Sequence, residues 1–329
     1  MEFVAELSCS HNSSFERALQ MVDAAAAAGA TAIKLQTWDK MVVDRAYTIP
    51  SGPWAGINLA ELYDNAKTPW GWHEPIFECA KHLGLKVFSS VFDLESLAFL
   101  ESIGCPRYKI ASFELTDTRL ISAVVGTGKP IILSTGMASV MEIDRALDAA
   151  NYDYEPDQIT LLKCSSAYPA PAHDLNLSTI RDLRHAYGVK VGFSDHTLGY
   201  TAAVVATAFG ATMIEKHLSL SRTDGGYDSG FAAEAGEFYE MVQACNQAKQ
   251  AIGKPVSGPM PSEMAQHALR RSLHYAKDLP AGHRLTGYGD VTTARPATGM
   301  EPHKIIHIID KPLFDNVKAG QPVRIGGFA

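Results

Sequence analysis

Two histidines stand where chemistry is open to them. His196 in GFSDHT and His217 in IEKHLSL each lie where a strand-like run passes into a loop. Neutral imidazole is the commonest protein ligand of catalytic transition metals. A single such histidine reads equally well as a satisfied core or surface residue. Two in matching positions on adjacent strand ends, with acidic and hydroxyl side chains at other strand ends, point to an open metal site. A closed structural site takes four protein ligands, whereas a catalytic one leaves positions for water and substrate.

The elements that must position these residues recur through the first 220 residues. Strands are expected at FVAELS, AIKLQT, LKVFSS, RYKIAS, PIILST, ITLLKCSS, VKVGFSD and TMIEKHL. Helical patterns alternate with them in SFERALQMVDAAAAAG, HEPIFECAKHLG, LESLAFLESIG, TRLISAVVGTG and SVMEIDRALDAAN, several ending in glycine, the usual helix stop. Strict alternation of strand and helix predicts parallel βαβ units. Eight units over roughly 250 residues have the dimension of a (β/α)8 TIM barrel. An open doubly wound sheet would need fewer strands and a Gly-rich first turn, which is missing.

The polar residues support this count. Strand ends carry Glu6; Lys34 and Gln36; Ser89 and Ser90; Lys109, Ser112 and Glu114; Ser134 and Thr135; Ser165 and Ser166; Ser194 and His196; Glu215 and His217. Carboxyl ends of barrel strands converge on one face, where such barrels do chemistry. Residues two apart on a strand share a side, so Glu215 goes with His217 and Lys34 with Gln36. Polar turn residues explain any one strand end without function, but not eight in succession. A lysine at the barrel mouth is either a Schiff-base nucleophile with a lowered pKa or an anion clamp. Lys109, among hydroxyls from Ser90, Ser112, Ser134, Thr135, Ser166 and Ser194, favours a clamp for a phosphorylated anion. Lys163 and Lys216 have the opposite parity and are expected to face the helices as ion-pair residues. RTDGGYDSGFAAE, with Asp224 and Asp228, reads as a mobile loop or as a lid whose Asp228 reaches substrate hydroxyls or a metal's water. TPWGWH opens a helix, and Pro69 with the packing of Trp70 and Trp72 accounts for most of it. His11 and Asn12 are either loop caps or substrate contacts.

Composition narrows the function classes. With 329 residues, 46% hydrophobic and 20% charged, the chain is an ordinary globular one, long enough for one large and one small domain. A net charge of −7 leaves no electrostatic footprint for nucleic acid or an anionic membrane. The stretch around Met21 to Ala32 carries Asp23 and is too rich in small residues to span a bilayer, and FVAELS reads as a strand rather than a signal segment. Five scattered cysteines without CxxC spacing fit reduced thiols in a cytoplasm. The expected barrel domain is 1–254, and 255–268, rich in Pro, Gly and Ser, is a linker. A β-rich module over 269–329 contains the short pieces RRSLHYAKDL, DVTTARP, KIIHIID and QPVRIGGF. Sixty residues are marginal alone, so this module is expected to dock on a barrel, its own or a partner's.

Seven motifs, in order, carry a resemblance over nearly the whole chain. AELSCSHN, IKLQTW, KIASFELTD, KPIILSTGMAS, LLKCSSAYP, GFSDHTLGY and IEKHLSL resemble the sialic acid synthase family of nonulosonic acid synthases. LYDNAKTPWGWH, KIASFE and LLKCSSAYP resemble its pseudaminic acid synthase branch more than the N-acetylneuraminate branch. The terminal module resembles the antifreeze-like (SAF) domain of these enzymes. Tyr227, where the family commonly has proline, SCSHNSS after Glu6 and ATGMEPHK after Arg295 depart from the usual forms, all towards the sugar end.

The resemblance implies a metal-dependent condensation of phosphoenolpyruvate with an open-chain acetamido sugar, releasing phosphate. His196 and His217 match the family's ligands for Mn2+, with Mg2+ or Co2+ as alternatives. Lys34, Ser90, Lys109, Ser112, Ser166 and Ser194 match positions that grip phosphate and carboxylate. Glu114 matches an acidic residue that manages protons at the aldehyde or water, while Glu6, Gln36, Tyr168 and Asp228 match sugar-side or metal-side contacts. Arg295 matches a substrate arginine that, in a domain-swapped homodimer, serves the other subunit's barrel. The alternatives are an N-acetylneuraminate or legionaminate synthase, a metal-free Schiff-base aldolase using Lys109 or Lys163, and a non-catalytic sugar-binding or ice-binding protein. The last has no use for Glu6, Lys109, Glu114 and a pair of metal ligands.

Overall fold

The structure, a computed structural model, describes residues 1–150 and 156–328. Asn151, the end of the fifth expected helix, and Ala329 lie outside them. Two compact units divide the chain, Met1–Gly253 and Lys254–Ala329.

In the first unit the chain runs β1 (Glu2–Glu6), α1 (Phe15–Ala27), β2 (Ala32–Thr37), α2 (Leu59–Ala66), α3 (His73–His82) and β3 (Lys86–Val91). It continues through α4 (Leu94–Ser102), β4 (Tyr108–Ile110), α5 (Thr118–Val125), β5 (Ile131–Ser134), α6 (Val140–Ala150) and β6 (Ile159–Cys164). Then follow α7 (Thr179–Tyr187), β7 (Lys190–Asp195), α8 (Thr201–Ala208), β8 (Met213–Ser219), a short β9 (Ala233–Glu234) and α9 (Ala235–Ile252). Strands β1 to β8 pair in sequence order, all parallel, and β1 also pairs with β8. The sheet therefore closes into the expected TIM barrel.

Local chemistry sets the boundaries. Asp93 and Asp117 accept from the backbone N–H groups of Ser96 and Leu120, at 2.7 and 3.0 Å, satisfying donors that open α4 and α5. Gly188 takes φ 66° after α7, a left-handed turn cheap only for glycine. Ala18, Met21, Val22 and Ala25 bury one stripe of α1, at the three-and-four spacing of a core-facing helix. Strand residues alternate between Ile33 and Leu35, buried in the main apolar core, and Lys34 and Gln36, which line the barrel mouth. Near the amino ends, Arg107 stacks 4.0 Å over the Phe88 ring and donates to both Glu2 oxygens. Lys216 pairs with Asp195 at 2.8 Å, both buried, and Lys163 donates to the Cys164 carbonyl. Lys216 thus has the ion-pair role its parity predicts. The five cysteines are free.

The second unit holds α10 (Met264–His267) and an antiparallel pair, β10 (Ser272–Tyr275) and β11 (Val291–Ala294). Leu273, Tyr275, Leu279, Leu285, Val291, Ile305, Ile308, Leu313 and Val323 form its own core. One expectation is corrected here. KIIHIID is not a β-like piece: Pro302–His307 is a 3-10 helix. Pro302 presets the first helical turn, and Ile305 and Ile308, three apart, fall on one buried side. QPVRIGGF contributes isolated bridges, His274 with Pro322 and Leu313 with Phe328, rather than a strand.

Candidate active site

Barrel register places the polar residues side by side. Glu6 is opposite Lys34 on β2 and His217 on β8; Ser194 is opposite Glu215, and Ser90 opposite Lys109. Lys34, Ser90, Lys109, Ser194, Glu215 and His217 border a cavity of about 680 Å³ at the carboxyl ends of the strands. Lys34, Gln36, Ser90, Lys109, Ser112, Ser166, Tyr168, Ser194, His196, His217 and Asp228 all line it. Glu6 and Glu114 are not part of that lining. Arg295 lies in the second unit, on the loop after β11.

The lysines are held by carboxylates. Lys109 Nζ donates to both oxygens of Glu215, at 2.8 and 3.0 Å, across the barrel from β4 to β8. Lys34 Nζ lies 2.7 Å from Glu6 and 3.7 Å from Glu215, and donates to Ser90 Oγ at 2.9 Å. All four charged groups are buried. Burial opposes a charged Lys34, yet Glu215 and Glu6 outweigh it and raise its pKa. For Lys109 burial prevails, helped by the charge of Lys34, and its pKa falls despite Glu215. Burial would protonate Glu215 too, but Lys109 and Lys34 hold it down at about 2. Burial raises the Glu6 carboxyl above its ordinary value against the pull of Lys34. Glu215 was visible in sequence only as the residue sharing a side with His217; its role as hub depends on the closure of the barrel.

A small hydroxyl and thiol group sits beside this cluster. Ser112 Oγ lies 3.0 Å from Cys164 Sγ and accepts from the Gly136 N–H at 3.2 Å. A Cβ on Gly136 would come within 2.5 Å of Cys164 Sγ and Ser166 Oγ and 2.8 Å of Ser112 Oγ. Glycine is required because the backbone approaches these side chains so closely.

The two imidazole centroids are 5.6 Å apart. His196 Nδ1 lies 2.8 Å from the Ser165 carbonyl, which accepts the ring N–H, and its Nε2 lies 3.4 Å from Ser194 Oγ. Burial, then the neighbouring His217, lowers the His196 pKa to about 3, so the ring is neutral. His217 Nδ1 is buried, 3.3 Å from Asp228 Oδ2 and out of line for a hydrogen bond. Among the described residues no group of three or more His, Cys, Asp or Glu side chains is placed to hold a metal ion by itself. The neutral His196 ring, its second nitrogen anchored to a carbonyl, and the His217 ring beside Asp228 fit an open divalent site. The remaining positions would fall to water and substrate.

Glu114, in the turn after β4, has a buried oxygen without a partner, and burial raises its carboxyl to about 7. Of the far wall, sequence reasoning found only Tyr168. The wall is aromatic: Trp38 stacks edge-on with Tyr63 and Phe92, and Tyr168 lies 5.3 Å from Trp54 and 5.0 Å from Phe231. The available signal was Asn58 before LAELYDNA, whose side chain caps α2. His11 is buried, and Asn12 bonds the loop after β8 rather than lining the cavity.

Residues 21–257 match the NeuB family. The chain is 38% identical to the pseudaminic acid synthase of Helicobacter pylori over 98% of its own length and 96% of that protein's. It is 36% identical to that of Campylobacter jejuni over 99% and 96%. Among solved structures, an N-acetylneuraminic acid synthetase from Leptospira borgpetersenii, in complex with citrate, superposes with a TM-score of 0.72 at 30% identity. That match covers 80% of this chain and 89% of the other.

Proposed function

The chain belongs to the NeuB family, and from that premise we propose that it condenses phosphoenolpyruvate with the open-chain form of an acetamido sugar. The proposed product is a nine-carbon nonulosonic acid, pseudaminic acid before the legionaminic or N-acetylneuraminic type. The observation that carries this reading is the juxtaposition of a buried lysine pair and several hydroxyls with the His196 and His217 rings in one cavity.

Lys34, Lys109 and the hydroxyls of Ser90, Ser112, Ser166 and Ser194 receive the phosphate and carboxylate. Their ammonium groups are already oriented by Glu215, so anion binding requires little reorganisation. The methylene carbon of phosphoenolpyruvate bonds to the aldehyde carbon, and the aldehyde oxygen takes a proton. Water then adds at the second carbon and gives up a proton. The bond from that carbon to the phosphate oxygen breaks, inorganic phosphate leaves, and a keto acid remains. A divalent ion held by His196 and His217, most suitably Mn2+, supplies Lewis-acid polarisation of the aldehyde oxygen. Glu114, with a carboxyl poised near neutrality, handles the proton at the aldehyde or the water. Gln36, Tyr168, Asp228 and, behind Lys34, Glu6 orient the sugar end. The terminal unit, read as an antifreeze-like cap, brings Arg295 to the barrel of a second copy in a homodimer. No described helix is long and apolar enough to cross a membrane.

The test is phosphate release by chelated and then manganese-restored protein. Phosphoenolpyruvate is offered with N-acetylmannosamine, 2,4-diacetamido-2,4,6-trideoxy-altrose or the corresponding mannose. Metal-dependent release with the altrose sugar alone is the expected result. Release with N-acetylmannosamine alone moves the chain to another branch. Silence with all three overturns the reading. His217→Ala should abolish release and weaken Mn2+ binding in a direct titration while leaving the thermal midpoint in place.

A further inference from the structure

The connection between Thr37, at the end of β2, and Leu59, at the start of α2, plays no part in the mechanism above. Long connections within a compact domain are commonly functional. Part of this one folds into a hairpin: Ile49 N–H donates to the Ile57 carbonyl at 3.0 Å and Gly56 N–H to the Ile49 carbonyl at 2.9 Å. Thr48 also bridges Asn58 in antiparallel fashion. Its tip is exposed from Pro50 to Pro53 and again at Ala55 and Gly56. Trp54 is the exception. It is half-buried, lines the cavity, and faces Tyr168 at 5.3 Å and Phe231 at 6.1 Å.

Its indole N–H donates to the Tyr227 carbonyl at 2.9 Å, and the Tyr227 hydroxyl accepts from Asn65 at 3.2 Å. Tyr227 precedes Asp228 in the loop after β8. On its other flank that loop is fixed to the barrel. Asn12 donates to the Gly225 carbonyl at 2.8 Å, Arg17 pairs with Asp224 at 2.7 Å, and a Cβ on Gly226 would meet Asn12 Oδ1 at 2.4 Å. The segment carrying Asp228 is therefore anchored on one flank by the barrel and on the other by the hairpin and α2. Releasing Trp54 costs a hydrogen bond and one ring's contacts, far less than moving any core element.

We propose that Trp54 is a specificity-determining residue. Its hairpin closes over the acceptor end of the cavity, and its hold on Tyr227 keeps the Asp228 loop against the bound sugar. This rests on the condensation reading for the identity of the acceptor, but the closure itself does not.

The test compares the wild-type chain with Trp54→Phe, which keeps a ring and loses the N–H, Trp54→Ala and Tyr227→Phe. Hydrogen exchange of peptides spanning 222–232 should quicken in both Trp54 variants, while barrel-strand peptides stay unchanged. In turnover, Trp54→Phe should raise the acceptor KM by roughly 3–10-fold, with the phosphoenolpyruvate KM within about twofold of wild type. Trp54→Ala should raise the acceptor KM further, and Tyr227→Phe, which loses only the Asn65 bond, less. Unchanged exchange over 222–232 in Trp54→Ala overturns the proposal, as does a parallel rise in both KM values. If the wild-type chain is silent with every sugar, the condensation reading falls, and the exchange measurement still decides the closure.

Discussion

Glu114 changes charge in the range where the protein works, because burial lifts its carboxyl to about 7. If it acts as the base, turnover should rise as pH climbs through that value. Glu114→Gln should lose that limb and fall by roughly 10²–10⁴-fold, read from kcat/KM against pH. The same shift acts on stability. A folded pKa raised above the ordinary value of 4.5 gives stabilisation that is complete below 4.5 and lost as pH rises through about 7. The thermal midpoint of Glu114→Gln relative to wild type should therefore be higher at pH 8 than at pH 4. At this scale residue type and strand-end position picked out His196, His217, Lys34 and Lys109. They marked Glu215 only as a strand-end neighbour of His217, not as the hub whose hydrogen bonds to Lys109 join residues 106 apart in sequence.

Elements position these groups, and two contacts expose how tightly. Gly136, after β5, leaves no space for a methyl group between Cys164, Ser166 and Ser112. Gly136→Ala should cost about 1–3 kcal/mol in denaturant unfolding and weaken phosphoenolpyruvate binding, because the serine hydroxyls must move. Behind the histidines, Lys216 and Asp195 pair β8 to β7, and the Lys216 ammonium also donates to the Thr197 carbonyl at 2.6 Å. Lys216→Met leaves the Asp195 carboxylate buried and unpaired, so a loss of roughly 3–5 kcal/mol is expected. A loss below about 1 kcal/mol, the range of an exposed pair, would refute the buried-pair assignment. The strands and most helices were legible from periodicity and caps. The hairpin around Trp54 was not, because few of its side chains are buried and no periodic stripe marks it.

The whole molecule consists of two units, and the proposed reaction draws on both. If the terminal unit serves a second copy, His217→Ala and Arg295→Ala chains should complement one another. Co-expressed, they form mixed dimers with one intact site, and phosphate release should recover well above either variant alone. Mixing the separately folded variants should recover less unless subunits exchange. No recovery would place Arg295 with its own barrel or outside the site. The sequence by itself determined the barrel, through eight repeats of a two-residue strand period and a helical period. It also determined the chemical types at the strand ends and, through seven ordered motifs, the family. Only the tertiary structure decided which of those groups meet. Ion pairing between β4 and β8, the aromatic far wall and the hold of Trp54 on Tyr227 arise from barrel closure and loop packing, which join residues far apart in the chain. KIIHIID shows the same limit on a small scale: an apolar run too short to reveal its period became a 3-10 helix once Pro302 and the local core fixed it.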